Sequence, residues 1–340
     1  SPAYFDPSSP YFTYAHEFIE RVAPRVPKSV LIEPLELEPG EEPALPVVTL
    51  EDLIAFYQHP VAAFYRTRFG LFEPLAAQET QNVEPIDLSA LESWQIEHWI
   101  LTLIEKRLPA LEVRALLKAS GLLPHGEHGA STADHLQADV ERFAAHASTF
   151  LGGAAMDPVE VEFELETCRF TGRFEAIYPG GLRRLRFGRI RPQDRYRLWI
   201  EHLVIQALPD EHYRKPSAFM GLGGNTWCLQ EFSTSQAALH ELKQLVRHMQ
   251  QGLQRPLKLF PRTSMVYAHE QRKSKNFSDS KRKAYAEWEG REAHVTPEQS
   301  DYYHQLAFGN HSDVLDQEFS SLSERLVRPM LDNTMRYGGI

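Results

Sequence analysis

The residues best equipped for chemistry in this chain are arginines, and they stand where carboxylates are scarce. Residues 172–197 hold eight arginines against two acids, Glu175 and Asp194. Metal-assisted hydrolysis of a phosphodiester needs two or more carboxylates converging on the ion. Glu175 alone does not supply them, and a guanidinium beside it repels a metal and attracts phosphate. Arg183, Arg184, Arg186 and Arg189 are therefore expected to bind DNA. The structural alternative pairs Arg183, Arg184 and Arg186 with the acidic stretch 160–166, or with a partner's carboxylates.

A second basic stretch, residues 255–283, carries nine Lys or Arg against Glu270 and Asp279. Arg272, Lys273, Lys275, Lys281, Arg282 and Lys283 crowd around Phe277. Cations with an interleaved aromatic suit contact with phosphates and an unstacked base. The bland alternative is a solvated loop. His125, His128, His135 and His146 do not follow a helical metal-site spacing, and 125–129 reads as a glycine-rich loop, so no metal ligand is assigned. Residues 220–224, Met-Gly-Leu-Gly-Gly, lack the Lys-Ser/Thr and helix that a phosphate-binding loop requires. No catalytic residue and no cofactor is assigned.

The elements that must position these groups are strands, a turn and a helix. Residues 159–165 alternate apolar and acidic side chains, the period of a half-buried strand. Residues 170–178 read as a second strand, Pro179-Gly180-Gly181 as a turn, and 182–190 as a third strand. Residues 194–208 switch to helical spacing.

Around that core, residues 1–46 are proline-rich and read as a linker or strap. Residues 47–340 read as one domain: a helical part to 150, then a sheet core with C-terminal helices. Thr49 with Asp52 forms a capping-box pattern, His59-Pro60 breaks the helix, and a second helix follows with Phe64, Tyr65 and Phe69 inward. Helices are expected over 89–106, 113–121 and 132–150. Residues 215–224 read as a loop, 226–232 as an edge strand, and 235–253 as an amphipathic helix. Residues 257–286 read as a basic stretch, 288–303 and 306–330 as helices, and 325–340 as a basic tail.

Strand, turn, strand, helix resembles the core of the RecB-type, PD-(D/E)XK nucleases. Gly172-Arg173-Phe174-Glu175 is similar to that family's Gly-x-x-Asp, with Glu for Asp. The family's Asp-x-Lys and Gln-x-x-x-Tyr are missing. Residues 49–72 resemble the "helix, Cys-Pro or His-Pro, aromatic helix" opening of RecB-like nuclease domains. The iron–sulfur members carry cysteine where His59 stands. With the aromatic, proline-punctuated leader 5–12, these features resemble the RecC family, the gamma subunit of exodeoxyribonuclease V, over essentially the whole chain.

The resemblance implies an α/β (α+β) fold with a PD-(D/E)XK restriction-endonuclease-like core. A mixed sheet is flanked by helices, with helical insertions and an extended N-terminal linker, and the catalytic acids are missing. Glu175 is then a vestigial active-site position. The implied function is a non-catalytic scaffold in a RecBCD helicase–nuclease acting in double-strand-break repair by homologous recombination. Its partners are DNA (duplex end and single strands), RecB and RecD, and ATP and magnesium belong to the partner subunits. Duplex splitting, strand guidance and Chi-regulated processing are the roles implied.

Composition agrees with a globular chain, 42% apolar and 24% charged. A net charge of −10 excludes wholesale nucleic-acid binding and confines DNA to one face. No apolar run nears about 18 residues, so no membrane span is expected. Two cysteines, Cys168 and Cys228, read as buried free thiols in a reducing, cytoplasmic setting. Methionine is absent before Met156, as expected of a fragment. Two further readings stand. One is an active magnesium-dependent exonuclease that recruits Glu164, Glu166 or Glu201; the other is a protein-interaction module without DNA contact.

Overall fold

A computed structural model describes residues 46–73, 96, 99–100, 110–123, 126–221, 225–274, 276–291, 296–309 and 313–335. All but the last residue of the linker expected over 1–46, most of the helix expected over 89–106, His125 and Lys275 lie outside the described residues.

The chain enters through a short strand, β1 (Val47–Thr49). Thr49 ends it and caps α1 (Leu50–Gln58), accepting from the Asp52 amide while Asp52 takes the Thr49 amide. His59 then caps α2 (Pro60–Phe69), whose proline sits at the first turn where its missing N–H costs nothing. Phe64 and Tyr65 are buried, but Phe69 is 43% exposed, contrary to expectation, because it lies on the last turn. Two helices follow, α3 (Ala110–Ala119) and α4 (Gly126–Leu151). The glycine-rich stretch 126–129 is the first turn of α4 rather than a loop.

Two sheets form the centre. The first has order β1-β3-β2, from β2 (Val159–Leu165) and β3 (Cys168–Phe174), antiparallel to each other, with β1 parallel to β3. β2 has the expected bounds. The second has order β4-β5-β6-β7-β8: β4 (Ile177–Tyr178), β5 (Gly181–Leu185), β6 (Ser217–Met220), β7 (Thr226–Leu229) and β8 (Thr334–Met335). The expected strand 170–178 is thus split between two sheets. β5 ends at Leu185, and beyond it the Phe187 ring drops into the cluster under α4. Residues 217–220 are a fully buried strand, not a loop. β7 is interior, because β8 returns from the C-terminal end to pair with it.

Helix α5 (Pro192–Ala207) links β5 to its parallel neighbour β6 and is the centre of the main core. Burial runs continuously from Leu198 to Ala207, including Glu201, His202 and Gln206. α1 packs on it, and α6 (Ser235–Gly252) lays its apolar face, Ala238, Leu242, Leu245, Val246 and Met249, against both. Gly172 owes its identity to this layering: a Cβ there would lie 2.9 Å from Leu50 Cβ and 3.2 Å from Val161 Cγ2.

The basic stretch 257–286 is a helical hairpin and not the solvated loop of the alternative reading, with α7 (Pro261–Ser274) and α8 (Phe277–Trp288). Its charges hid a buried face built from Thr263, Tyr267, Ala268, Ala284 and Trp288. Trp288 ends α8, so no helix runs from it to Tyr303; a 3-10 turn (Glu298–Ser300) precedes α9 (Tyr302–Phe308). α10 (Gln317–Leu322), a π-turn (Ser323–Val327) and α11 (Arg328–Asp332) follow. The expected tail therefore starts inside a helix, with Val327, Met330 and Leu331 buried.

Candidate nucleic-acid interface

The loop between β5 and α5 is held by its own charges. Asp194, in the first turn of α5, accepts from the Arg191 amide at 2.8 Å and from Arg186 Nη1 at 3.1 Å. These bonds fold the loop back and hold Arg189 and Arg191 out into solvent. Neither has an ion-pair partner among the described residues.

Two adjoining depressions meet at this loop. One, of about 950 Å³, is lined by Arg186, Arg191 and Arg262 with His59, Glu298, Asp301 and His304. The other, of about 760 Å³, is lined by Arg189, Arg191, Arg195, Arg262 and Arg272 with Trp227 and Met265. They share Arg191, Pro192 and Arg262 and so form one trough. Arg195 lies over the Trp227 ring, 5.7 Å from its centroid. Arg262 reaches Glu287 at 3.4 Å, and Arg272 reaches Asp332 at 2.9 Å. The Glu298 carboxylate is spent on the first turn of α7, accepting from Arg262 N, Thr263 N and Thr263 Oγ1. Exposed guanidiniums along such a trough can bind a phosphate chain, while Trp227, buried under Arg195, belongs to its floor.

The sequence-predicted residues fall into three groups. Arg183 and Arg184 serve the fold. Arg183 donates to the carbonyls of Gly180, Leu182 and Pro216, and burial lowers its pKa. Arg184 forms a two-pronged pair with Glu201 at 2.9 and 2.6 Å. Neither pairs with the acidic strand, whose Glu162 instead meets Arg169 at 2.6 Å. Arg186, Arg189 and Arg272 line the trough. The others decorate the α7–α8 hairpin. Lys283 holds Glu270 at 2.8 Å, and this hydrogen bond lowers the Glu270 pKa. Arg282 meets Asp279 at 3.1 Å, Lys281 sits over the half-exposed Phe277 ring, and Lys273 is exposed. Arg191, Arg195, Arg262 and Trp227 were missed. The arginine run was visible as far as Arg197, but a tryptophan delivered by a distant strand leaves no local signal.

Glu175, Glu166 and Glu201 each meet basic side chains among the described residues. Glu175 is exposed, 3.3 Å from Arg173. Glu166 meets Lys243, and Glu201 is enclosed by Arg184 and Arg197. At the far end of the trough, His59 Nε2 donates to Asp301 Oδ2 at 3.0 Å, while its Nδ1 accepts from the Ala62 amide. Burial pushes the Asp301 pKa up, but the His59 hydrogen bond and charge outweigh it and bring it down to about 2. This clasp stands at the His59-Pro60 step between α1 and α2.

A family model described as the RecC C-terminal domain matches residues 46–272. The RecBCD enzyme subunit RecC of Escherichia coli (strain K12) is 28% identical over 218 residues, covering 63% of this chain and 18% of that protein. The subunit of the same name from Buchnera aphidicola subsp. Schizaphis graminum is 24% identical over 294 residues, 84% of this chain and 27% of that one. That of Mycolicibacterium smegmatis is 26% identical over 225 residues, 65% and 20%. The chain thus spans between 18% and 27% of the length of these relatives. The matched region begins at β1 and contains both sheets up to β7, α5 and most of the trough's arginines, and on this match the chain belongs to the RecC C-terminal domain family.

Proposed function

We infer that this chain is a DNA-handling and subunit-docking domain of a RecC-type protein within a RecBCD-type helicase–nuclease. The assembly acts in double-strand-break repair by homologous recombination. The observation that carries the reading is the arginine-lined trough in a chain of this family. Its exposed cations sit on one face of an acidic protein, the distribution expected where DNA touches one surface and protein partners take others. DNA strands, single or at a duplex end, run along the trough with phosphates on Arg189, Arg191 and Arg262. Duplex splitting, strand guidance and Chi-regulated processing are tasks of the assembly in which this surface takes part. RecB and RecD are the docking partners, and ATP and magnesium act on those subunits. No helix among the described residues is long and apolar enough to cross a membrane. A cytoplasmic site of action accords with the DNA substrate.

The core is read as a PD-(D/E)XK-like scaffold used for holding. Support comes from the β5–α5–β6 arrangement and from Gly172, which α1 packs against. Exposure of Glu175 beside an arginine supports the non-catalytic form.

The test is binding of a forked and a single-stranded oligonucleotide to the chain over a range of salt. Phosphate contact makes log K fall linearly with log salt. Absence of binding at low salt would favour the protein-interaction reading. Magnesium-dependent cleavage abolished by Glu175→Ala would establish the nuclease reading instead.

A further inference from the structure

The clasp at the end of the trough has the makings of a metal site. His59, Asp301 and His304 each present one ligand atom, and the three atoms lie within 4.8 Å of one another. The His304 ring is buried, with Nδ1 2.8 Å from the Glu298 carbonyl. That bond places the ring proton on Nδ1 and leaves a lone pair on Nε2. Nε2 is buried without a hydrogen-bond partner. A backbone carbonyl on the far nitrogen is the arrangement that orients an imidazole toward a metal. Asp301 spends Oδ1 on the Tyr303 and His304 amides, at 2.9 and 3.1 Å, and keeps Oδ2 for His59. All three residues line the trough, so a fourth coordination position opens toward water.

The geometry points to a site for one divalent transition-metal ion of the zinc class, held by His59 Nε2, Asp301 Oδ2 and His304 Nε2. Two imidazoles and one carboxylate select such an ion over magnesium or calcium, which take oxygen ligands. Bonds of about 2.0–2.2 Å put tetrahedral ligand atoms roughly 3.3–3.5 Å apart, so the trio closes inward on binding. The ion replaces the proton that His59 now shares with Asp301. His59 then carries its proton on Nδ1 and gives up its cap on the Ala62 amide. That loss weakens the affinity by up to about thirtyfold. In return the α1–α2 junction is joined to α9 by coordinate bonds instead of one hydrogen bond across 242 residues of sequence.

The test is calorimetric titration of Zn²⁺ into the chelator-treated chain, with Mg²⁺ in parallel and melting followed in both states. One Zn²⁺ per chain with a raised Tm is expected, without displacement by Mg²⁺. His59→Gln, Asp301→Asn and His304→Gln should each weaken Zn²⁺ binding tenfold or more. Cobalt(II) should give tetrahedral visible bands in the parent and lose them in the variants. Melting in chelator identifies the variants that fold. The proposal is overturned if the parent takes up no stoichiometric Zn²⁺, or if folded variants take it up undiminished.

Discussion

The Arg184 guanidinium grips the fully buried carboxylate of Glu201 through two hydrogen bonds, 2.9 Å from Nε and 2.6 Å from Nη2. Arg197 adds a third contact at 3.2 Å and reaches on to Glu51 at 2.9 Å. One charge network thereby ties β5, α5 and α1 together at the centre of the molecule. Arg184→Leu strands part of a buried charge, and a loss of roughly 3 kcal/mol in urea unfolding is expected. Arg184→Leu combined with Glu201→Leu should lose less than the single change. A double mutant that loses as much as the two singles combined would show that the pair is not coupled.

Arg189 and Arg191 are exposed and without ion-pair partners among the described residues, so removing them should leave folding intact. Each Ala substitution is expected to reduce the salt slope of single-strand binding by about 0.7, the loss of one phosphate contact. Unchanged slopes would remove the β5–α5 loop from the interface. Arg183→Ala is the control. Its guanidinium serves three carbonyls, and the change should cost stability instead.

His202 lies fully buried between Ser217 Oγ at 2.8 Å and the Gln230 carbonyl at 3.0 Å. Burial, only partly opposed by the bond to Gln230, pulls its pKa down to about 3. An unfolded histidine titrates near about 6.5. The stability it contributes is complete above that value and is lost as pH falls toward 3, by up to about 1.4 kcal/mol per pH unit. His248 and His304, also lowered first by burial, add to the slope. Urea midpoints at pH 7, 6 and 5 should show the decline. His202→Gln should flatten it while lowering stability at pH 7, and an unaltered slope would place the acid sensitivity elsewhere.

Gly252 ends α6 where the ring of Phe56 and the side chain of Leu257 press against its Cα. A methyl group there collides with Phe56, which is itself buried and has no room to yield. Gly252→Ala should therefore destabilise by about 1–3 kcal/mol in spite of alanine's better helix propensity. Phe56→Leu in the same chain should recover part of the loss.

Local physics alone determined several elements of this protein. Period-2 alternation marked β2 to the residue, because each of its faces meets a different environment. The Thr49–Asp52 box and the His59-Pro60 step marked both ends of α1, because capping is a contact within one turn. The amphipathic stripe of α6 was legible for the same reason. The arginine excess was written in composition.

Tertiary structure decided the rest. Nothing local tells that Phe170 and Ile177 belong to different sheets, or that Thr334–Met335 will cover the edge of β7. The α7–α8 hairpin was obscured because its buried face is narrow and its exposed faces are dense with charge. Only folding could sort the arginines, since Arg184 and Arg189 are equivalent as residues. One meets a buried glutamate seventeen positions away, and the other meets solvent. The meeting of His59 with Asp301 was likewise beyond any motif, because both side chains act locally as caps and only packing of the helices they cap brings them to 3.0 Å.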